Sequence, residues 1–155
     1  MNKELIVRNS IAIDAPMAAV WNALVNPEQT KKYMFGCETV SDWKVGSPLL
    51  WKMMHEGKEL IAVKGKIVDI RPGEFLAYTT IDPNSGIEDR PENYLTVTYE
   101  LLPLGGKTQL TVTQGNYALV GDGQKRYDEA MQAGGWSSIL EMIKQLLEEG
   151  AVENK

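Results

Sequence analysis

Gly134-Gly135-Trp136-Ser137-Ser138-Ile139-Leu140-Glu141-Met142-Ile143-Lys144-Gln145-Leu146-Leu147 is the stretch that decides the fold. Apolar residues fall at 136, 139, 140, 143, 146 and 147, the i, i+3, i+4, i+7 spacing of one helical face. Nearly everything upstream reads as strand, so the face this helix must bury lies against a sheet. A ligand would sit between the two. The pattern predicts one long helix from about residue 123 to about 149, less apolar in its front half, with Gly121-Asp122-Gly123 leading into it. Gly134 and Gly135 interrupt it, each at a cost of about 1 kcal/mol relative to alanine. The pair either kinks the helix and lets it cross the sheet closely, or leaves room for a ligand or lid.

Upstream, residues 5–13 alternate Leu5, Val7, Asn9, Ile11, Ile13 against Ile6, Arg8, Ser10, Ala12, a strand with one apolar face interrupted at Asn9. Asp14-Ala15-Pro16 stops it and opens a short helix carrying Met17, Val20, Trp21, Leu24 and Val25. Asn26-Pro27 ends that helix and starts another, through about Tyr33. Strands are predicted at 49–55, 60–70, 75–81, 94–102 and 107–115, with Glu56-Gly57-Lys58 a hairpin turn and Gly65 a candidate bulge. Residues 82–92 form a polar, turn-rich loop. Residues 36–92 as a whole carry strand and turn signals, so the order is one strand, two short helices, six strands (the five above and one not delimited), then the long helix. An α+β fold satisfies it: a curved antiparallel sheet of about seven strands around the C-terminal helix.

The chain has 155 residues, which reads as a single domain over 1–155. A domain of this size buries roughly 70% of its unfolded surface and needs no disulfide or metal to stand. The net charge is −5 and no Lys/Arg run exceeds two (Lys31-Lys32, Lys125-Arg126), which argues against nucleic acid as a partner. No apolar run approaches a membrane span, and the last helix carries Glu141, Glu148 and Glu149 on its polar face, so membrane insertion is not expected. Cys37 is the single cysteine, and the N-terminus shows no secretory signal; both fit the cytoplasm.

The chemistry-bearing residues are few. His55 stands beside a hairpin turn and reads as an exposed residue, with a rim position as the alternative because it shares strand parity with Trp51 and Met53. No G-x-S-x-G elbow surrounds a serine, and no phosphate-binding glycine motif is present. One His and one Cys do not build a typical zinc site, so neither a metal nor a cofactor is expected. Cys37 reads as a small buried hydrophobe. The stronger candidates are apolar and aromatic. Trp51 and Met53 share one face of their strand; Leu95, Val97, Tyr99 and Leu101 share another; Gln114 ends the apolar row Leu110, Val112. A pocket is typically apolar with a few placed polar groups, and Gln114, Tyr99 and Tyr78 fit that role unless they are plain core. Gly135, Trp136 and Leu140 would wall the same space from the helix side.

Three stretches in this order resemble one family. They are Ile11-x-Ile13-x-Ala15-Pro16-x-x-x-Val20-Trp21-x-Ala23-Leu24-x-x-Pro27-Glu28; Gly65-x-Ile67-Val68-x-Ile70-x-Pro72 with Leu76-x-Tyr78-Thr79; and Gly135-Trp136-x-x-x-Leu140. The chain resembles the START-like (SRPBCC, Bet v 1-type) superfamily over about residues 5–149. Within it, the pattern is most similar to proteins resembling the C-terminal domain of the activator of Hsp90 ATPase. The resemblance implies a helix-grip fold, often with a cavity between sheet and helix. It also implies binding of lipids, steroids, polyketides or other apolar molecules, with some members enzymes. The family often carries a His at the position of Gln114; here the segment reads Thr113-Gln114-Gly115-Asn116-Tyr117, so any role of that histidine is absent.

The expected function is therefore non-catalytic binding of a small apolar molecule between sheet and helix. A co-chaperone-like partnership with an Hsp90-type chaperone is the alternative implied by the resemblance. An enzyme acting on a hydrophobic substrate ranks third, because it needs two polar groups converging in the cavity.

Overall fold

The computed structural model describes residues 5–34, 36–83, 88–90, 93–115, 117–120 and 123–153. Residues 84–87 and 91–92 of the polar loop and Gly121-Asp122 of the turn before the last helical region lie outside these. Seven strands form one antiparallel sheet: β1 (Val7–Ile13), β2 (Glu38–Ser41), β3 (Pro48–His55), β4 (Lys58–Arg71), β5 (Phe75–Thr80), β6 (Leu95–Leu104) and β7 (Lys107–Gly115). Their order across the sheet is β1-β7-β6-β5-β4-β3-β2. The chain thus runs as a meander from β2 to β7 and closes by laying β7 beside the first strand.

Helices α1 (Met17–Val25) and α2 (Pro27–Tyr33) follow β1. Asn26 divides them: its N–H donates to the Asn22 carbonyl, ending α1, and its side-chain oxygen accepts from the Glu28 N–H at 2.9 Å, capping α2. Pro27 supplies the first residue of α2, where a missing N–H costs nothing. Thr30, fully buried, ties α2 to β2: its hydroxyl donates to the Cys37 carbonyl at 3.0 Å and accepts from the Thr39 N–H at 3.3 Å.

The predicted single C-terminal helix is in fact two, α3 (Gly123–Gln132) and α4 (Ser137–Glu153). The glycine pair stops the helix instead of bending it. Gly135 N–H donates to the Ala130 carbonyl at 2.8 Å and Gly134 N–H to the Met131 carbonyl at 3.1 Å. These are the two bonds of a Schellman motif, with Gly134 at its left-handed position (φ +87°). The apolar stripe belongs to α4: Leu140 and Ile143 are buried, while Ile139, Leu146 and Leu147 pack against the same core. Trp136 precedes the first turn of α4, and its carbonyl accepts from the Leu140 N–H.

The sheet curves on β4. Val63 faces Trp51 and Ile61 faces Lys52, which leaves Ala62 as an extra residue; Ile67 faces Tyr78 and Asp69 faces Ala77, which leaves Val68 as another. Each bulge bends the strand and raises its twist. Gly65 lies between them and is not itself a bulge. It stands where the Thr79 carbonyl presses on β4, and a β-carbon there would lie 1.6 Å from that oxygen. On the concave side α4 runs along β1 and meets α1 and α2. Its far end is held by Glu148, whose carboxylate accepts from the Asp14 N–H at 2.9 Å and pairs with Lys144.

Candidate functional site

Directly opposed residues of an antiparallel pair point to the same face, so the register sorts the concave surface into rows. One row is Val7, Gln114, Val97 and Tyr78, on β1, β7, β6 and β5. The next is Asn9, Val112, Tyr99 and Leu76; the third contains Ile11, Leu110 and Leu101. Under most of α4 the second and third rows are filled by side chains, with Tyr99, Leu110, Val112, Leu140 and Ile143 all at most 2% exposed. Val7, Tyr78 and Val97 of the first row are as deeply buried, and Gln114 is half-buried. Above this row lies a cavity of about 480 Å³, at the break between α3 and α4.

All four residues of the first row line this cavity. Trp51 and Met53 of β3, with Ala62 and Val63 of β4, form one wall; Ala130, Gly135, Trp136 and Ile139 form the roof. Met34 and Cys37, held by the Thr30 bonds, close the end beside α2. Thr80 and Asp82 complete the lining, and the exposed Asp82 marks where it reaches solvent. Ala62 and Val63 are consecutive, which ordinary strand alternation forbids; the bulge turns both toward the cavity.

An aromatic chain spans this region. Trp51 meets Tyr78 (centroids 6.4 Å apart), Tyr78 meets Tyr99 edge-on (5.5 Å), and Tyr99 meets Trp136 edge-on (6.0 Å). The hydroxyls of Tyr78 and Tyr99 share a hydrogen bond of 2.6 Å. Burial pushes both phenols well above the ordinary tyrosine range, and Tyr33 with them. Burial also pushes the Cys37 thiol up, which disfavours the thiolate a nucleophile requires.

Trp136 is fixed at three points. Its backbone N–H donates to Asn9 Oδ1 at 2.9 Å, its indole Nε1–H donates to Gln114 Oε1 at 2.9 Å, and its ring meets Tyr99. Asn9 Nδ2 also reaches the Gly134 carbonyl at 3.4 Å, so one side chain of the first strand holds both sides of the helix break. Gly135 sits against this clamp; a β-carbon there would lie 2.5 Å from Asn9 Oδ1.

Of the residues singled out from sequence, Trp51, Met53, Tyr78, Gln114, Gly135 and Trp136 line the cavity. Tyr99 lies beneath it, bonded to Tyr78, and Leu140 belongs to the packed core. His55 is at the end of the β3–β4 hairpin, its side chain 65% exposed, away from the cavity. Asn9 was missed as a positioning residue. The signal was present: a polar residue in a core-facing row requires a partner.

The raised phenols carry a pH dependence. Their neutral forms are favoured in the folded protein. They therefore contribute stability that is complete below the ordinary tyrosine pKa of about 10 and declines as pH rises past it. In an alkaline titration followed by phenolate absorbance, Tyr33, Tyr78 and Tyr99 are expected to ionise only together with loss of the circular dichroism signal. Reversible titration of all six tyrosines in the folded protein would contradict this.

A seven-stranded sheet gripping a C-terminal helix, with a cavity between them, defines a START-like helix-grip protein of the SRPBCC superfamily. More narrowly, the chain belongs to the family described as Activator of Hsp90 ATPase homolog 1-like protein, whose family model matches residues 14–148. It is similar to ChR145 from Cytophaga hutchinsonii, a solution structure with 38% identity and a TM-score of 0.75, over 98% of this chain and 99% of that one. It shares its fold with the Aha1 dimer from Colwellia psychrerythraea (19% identity, TM-score 0.67, 92% and 96% of the two chains). It shares it also with PFC0360w, an HSP90 activator from Plasmodium falciparum (18%, 0.57, 72% of each). No curated protein matches the chain in sequence. Among the described residues, no helix is long and apolar enough to cross a membrane.

Proposed function

We propose that this protein binds a small apolar molecule, without transforming it, in the cavity at the α3–α4 break. The cavity carries the reading. Its volume of about 480 Å³ is in the range of small-molecule sites, roughly 300–1,000 Å³, and its lining is mainly aliphatic, aromatic and Met side chains with few polar groups. Burying ligand surface there contributes roughly 25 cal/mol per Å², from which the cost of association is subtracted.

Native mass spectrometry of the purified protein, followed by solvent extraction, tests the proposal. The expected result is a co-purifying apolar molecule, or saturable binding of an added one. An Ala62→Phe variant, which fills the cavity from its wall, should abolish that binding while retaining the fold. Saturable binding that survives Ala62→Phe, or its absence from the unaltered protein, would overturn the reading.

The family description supports a second reading, a partnership with an Hsp90-type chaperone. Stimulation of an Hsp90 ATPase by the purified chain tests it, and no stimulation counts against it.

A further inference from the structure

We propose that the cavity selects apolar molecules that carry a neutral hydrogen-bond acceptor, a carbonyl oxygen, and that Gln114 is the residue that reads it. This rests on the binding reading above and specifies its ligand class.

An indole Nε1–H can only donate. The atom of Gln114 that faces Trp136 at 2.9 Å is therefore the amide oxygen, and the flip of this side chain is settled by its partner. The amide nitrogen, with two protons to give, points elsewhere. Among the described residues it has no acceptor, although Gln114 lines the cavity. No described side-chain nitrogen is buried without a partner, so this amide opens onto accessible space, where a ligand that covered it without an acceptor would orphan it and a ligand oxygen in reach would not.

The donor is also held in place before any ligand arrives. Asn9 fixes the Trp136 backbone, Tyr99 fixes its ring, and the indole fixes the amide. Gln114 lies between Val7 and Val97 in the first row, so a molecule resting on these apolar neighbours presents its edge to the amide. The other lining groups narrow the class. The Tyr78 hydroxyl is engaged with Tyr99, and Asp82 brings the one formal negative charge among the described lining residues. No lysine or arginine stands among the described lining residues to pair a carboxylate ligand, whose burial there would be costly, while a ketone, ester or amide needs only the amide donor.

The test uses a matched pair of probes, 2-acetylnaphthalene and 2-isopropenylnaphthalene, which differ by C=O against C=CH2. The unaltered protein is expected to bind the ketone about three- to tenfold more tightly, the worth of one net hydrogen bond. Gln114→Met should bind the alkene as before and lose the ketone preference. Trp136→Phe, which keeps the amide but releases its oxygen, should reduce the preference. The infrared carbonyl stretch of the bound ketone gives a readout on the unaltered protein alone, and it should fall on binding. Equal affinity for the two probes, an unshifted stretch, or a preference that survives in Gln114→Met would overturn the assignment while leaving apolar binding intact. Failure of both probes to bind would overturn the binding reading as well.

Discussion

Replacing Gly65 by alanine is expected to lower stability by about 3 kcal/mol or more, the upper part of the range for overpacking a well-packed site. The cause is space. A β-carbon at Gly65 would lie 1.6 Å from the Thr79 carbonyl oxygen and 2.4 Å from its carbon, both backbone atoms that a rotamer change cannot move. The bonds around it show why the two strands press together here. The Lys66 N–H donates to the Thr79 hydroxyl, while Lys64 bridges to Ile81 on one side and Ile67 pairs with Tyr78 on the other. Relief would part β4 from β5 at the row that floors the cavity. Gly73→Ala serves as the comparison. It has a positive φ of 83° but nothing within 4 Å of the added carbon, so it should cost only about 1 kcal/mol. Denaturant midpoints of both variants check the prediction, and equal losses would refute it.

Leu140→Ala is expected to cost about 3 kcal/mol, within the range of about 2–5 for a buried leucine. Leu140 is 1% exposed, under the part of α4 where the sheet and helix are filled by side chains, and its removal leaves a void. Ile139, its neighbour in sequence, lines the cavity, so truncating it enlarges an existing space and exposes fewer newly orphaned contacts. Ile139→Ala should cost roughly half as much or less, on the same scale. It should also change the affinity for an apolar probe, which Leu140→Ala should leave nearly as it was. Chemical denaturation and probe titration of the two variants separate these effects. Equal destabilisation with equal change in affinity would mean that the cavity and the packed core are not distinct.

Strand positions were legible to within a residue or two wherever apolar and polar residues alternate without interruption, as at 94–102 and 107–115. The short strand Glu38–Ser41 was not delimited, because four residues are too few to show a period. The glycine pair was visible as an interruption. Its meaning was not, because a helix stop and a helix kink share the same residues until the bonds to Ala130 and Met131 are known. The cavity lining followed from parity at Trp51, Met53 and Gln114. Parity failed at Ala62 and Val63, where a bulge resets it, and at His55, where the hairpin carries the residue beyond the helices. Asn9 looked like a flaw in an apolar strand because its partners are more than a hundred residues away.

That separation has a consequence for how the chain assembles. β1 is synthesised before the other six strands of the sheet, yet it pairs with β7, the last of them; the Ser10–Thr111 hydroxyl bond across this pair spans 101 residues. The β3–β4, β4–β5 and β6–β7 hairpins close over short loops at small entropic cost, whereas docking β1 must wait for nearly the whole polypeptide. The Asn9 clamp on Trp136 comes later still, so the cavity acquires its roof in the closing steps of folding. In pulse-labelled hydrogen exchange during refolding, amides of β3 to β6 should gain protection before those of β1; simultaneous protection would contradict this order. A nascent chain halted before Trp136 leaves the ribosome would carry the curved sheet without its grip.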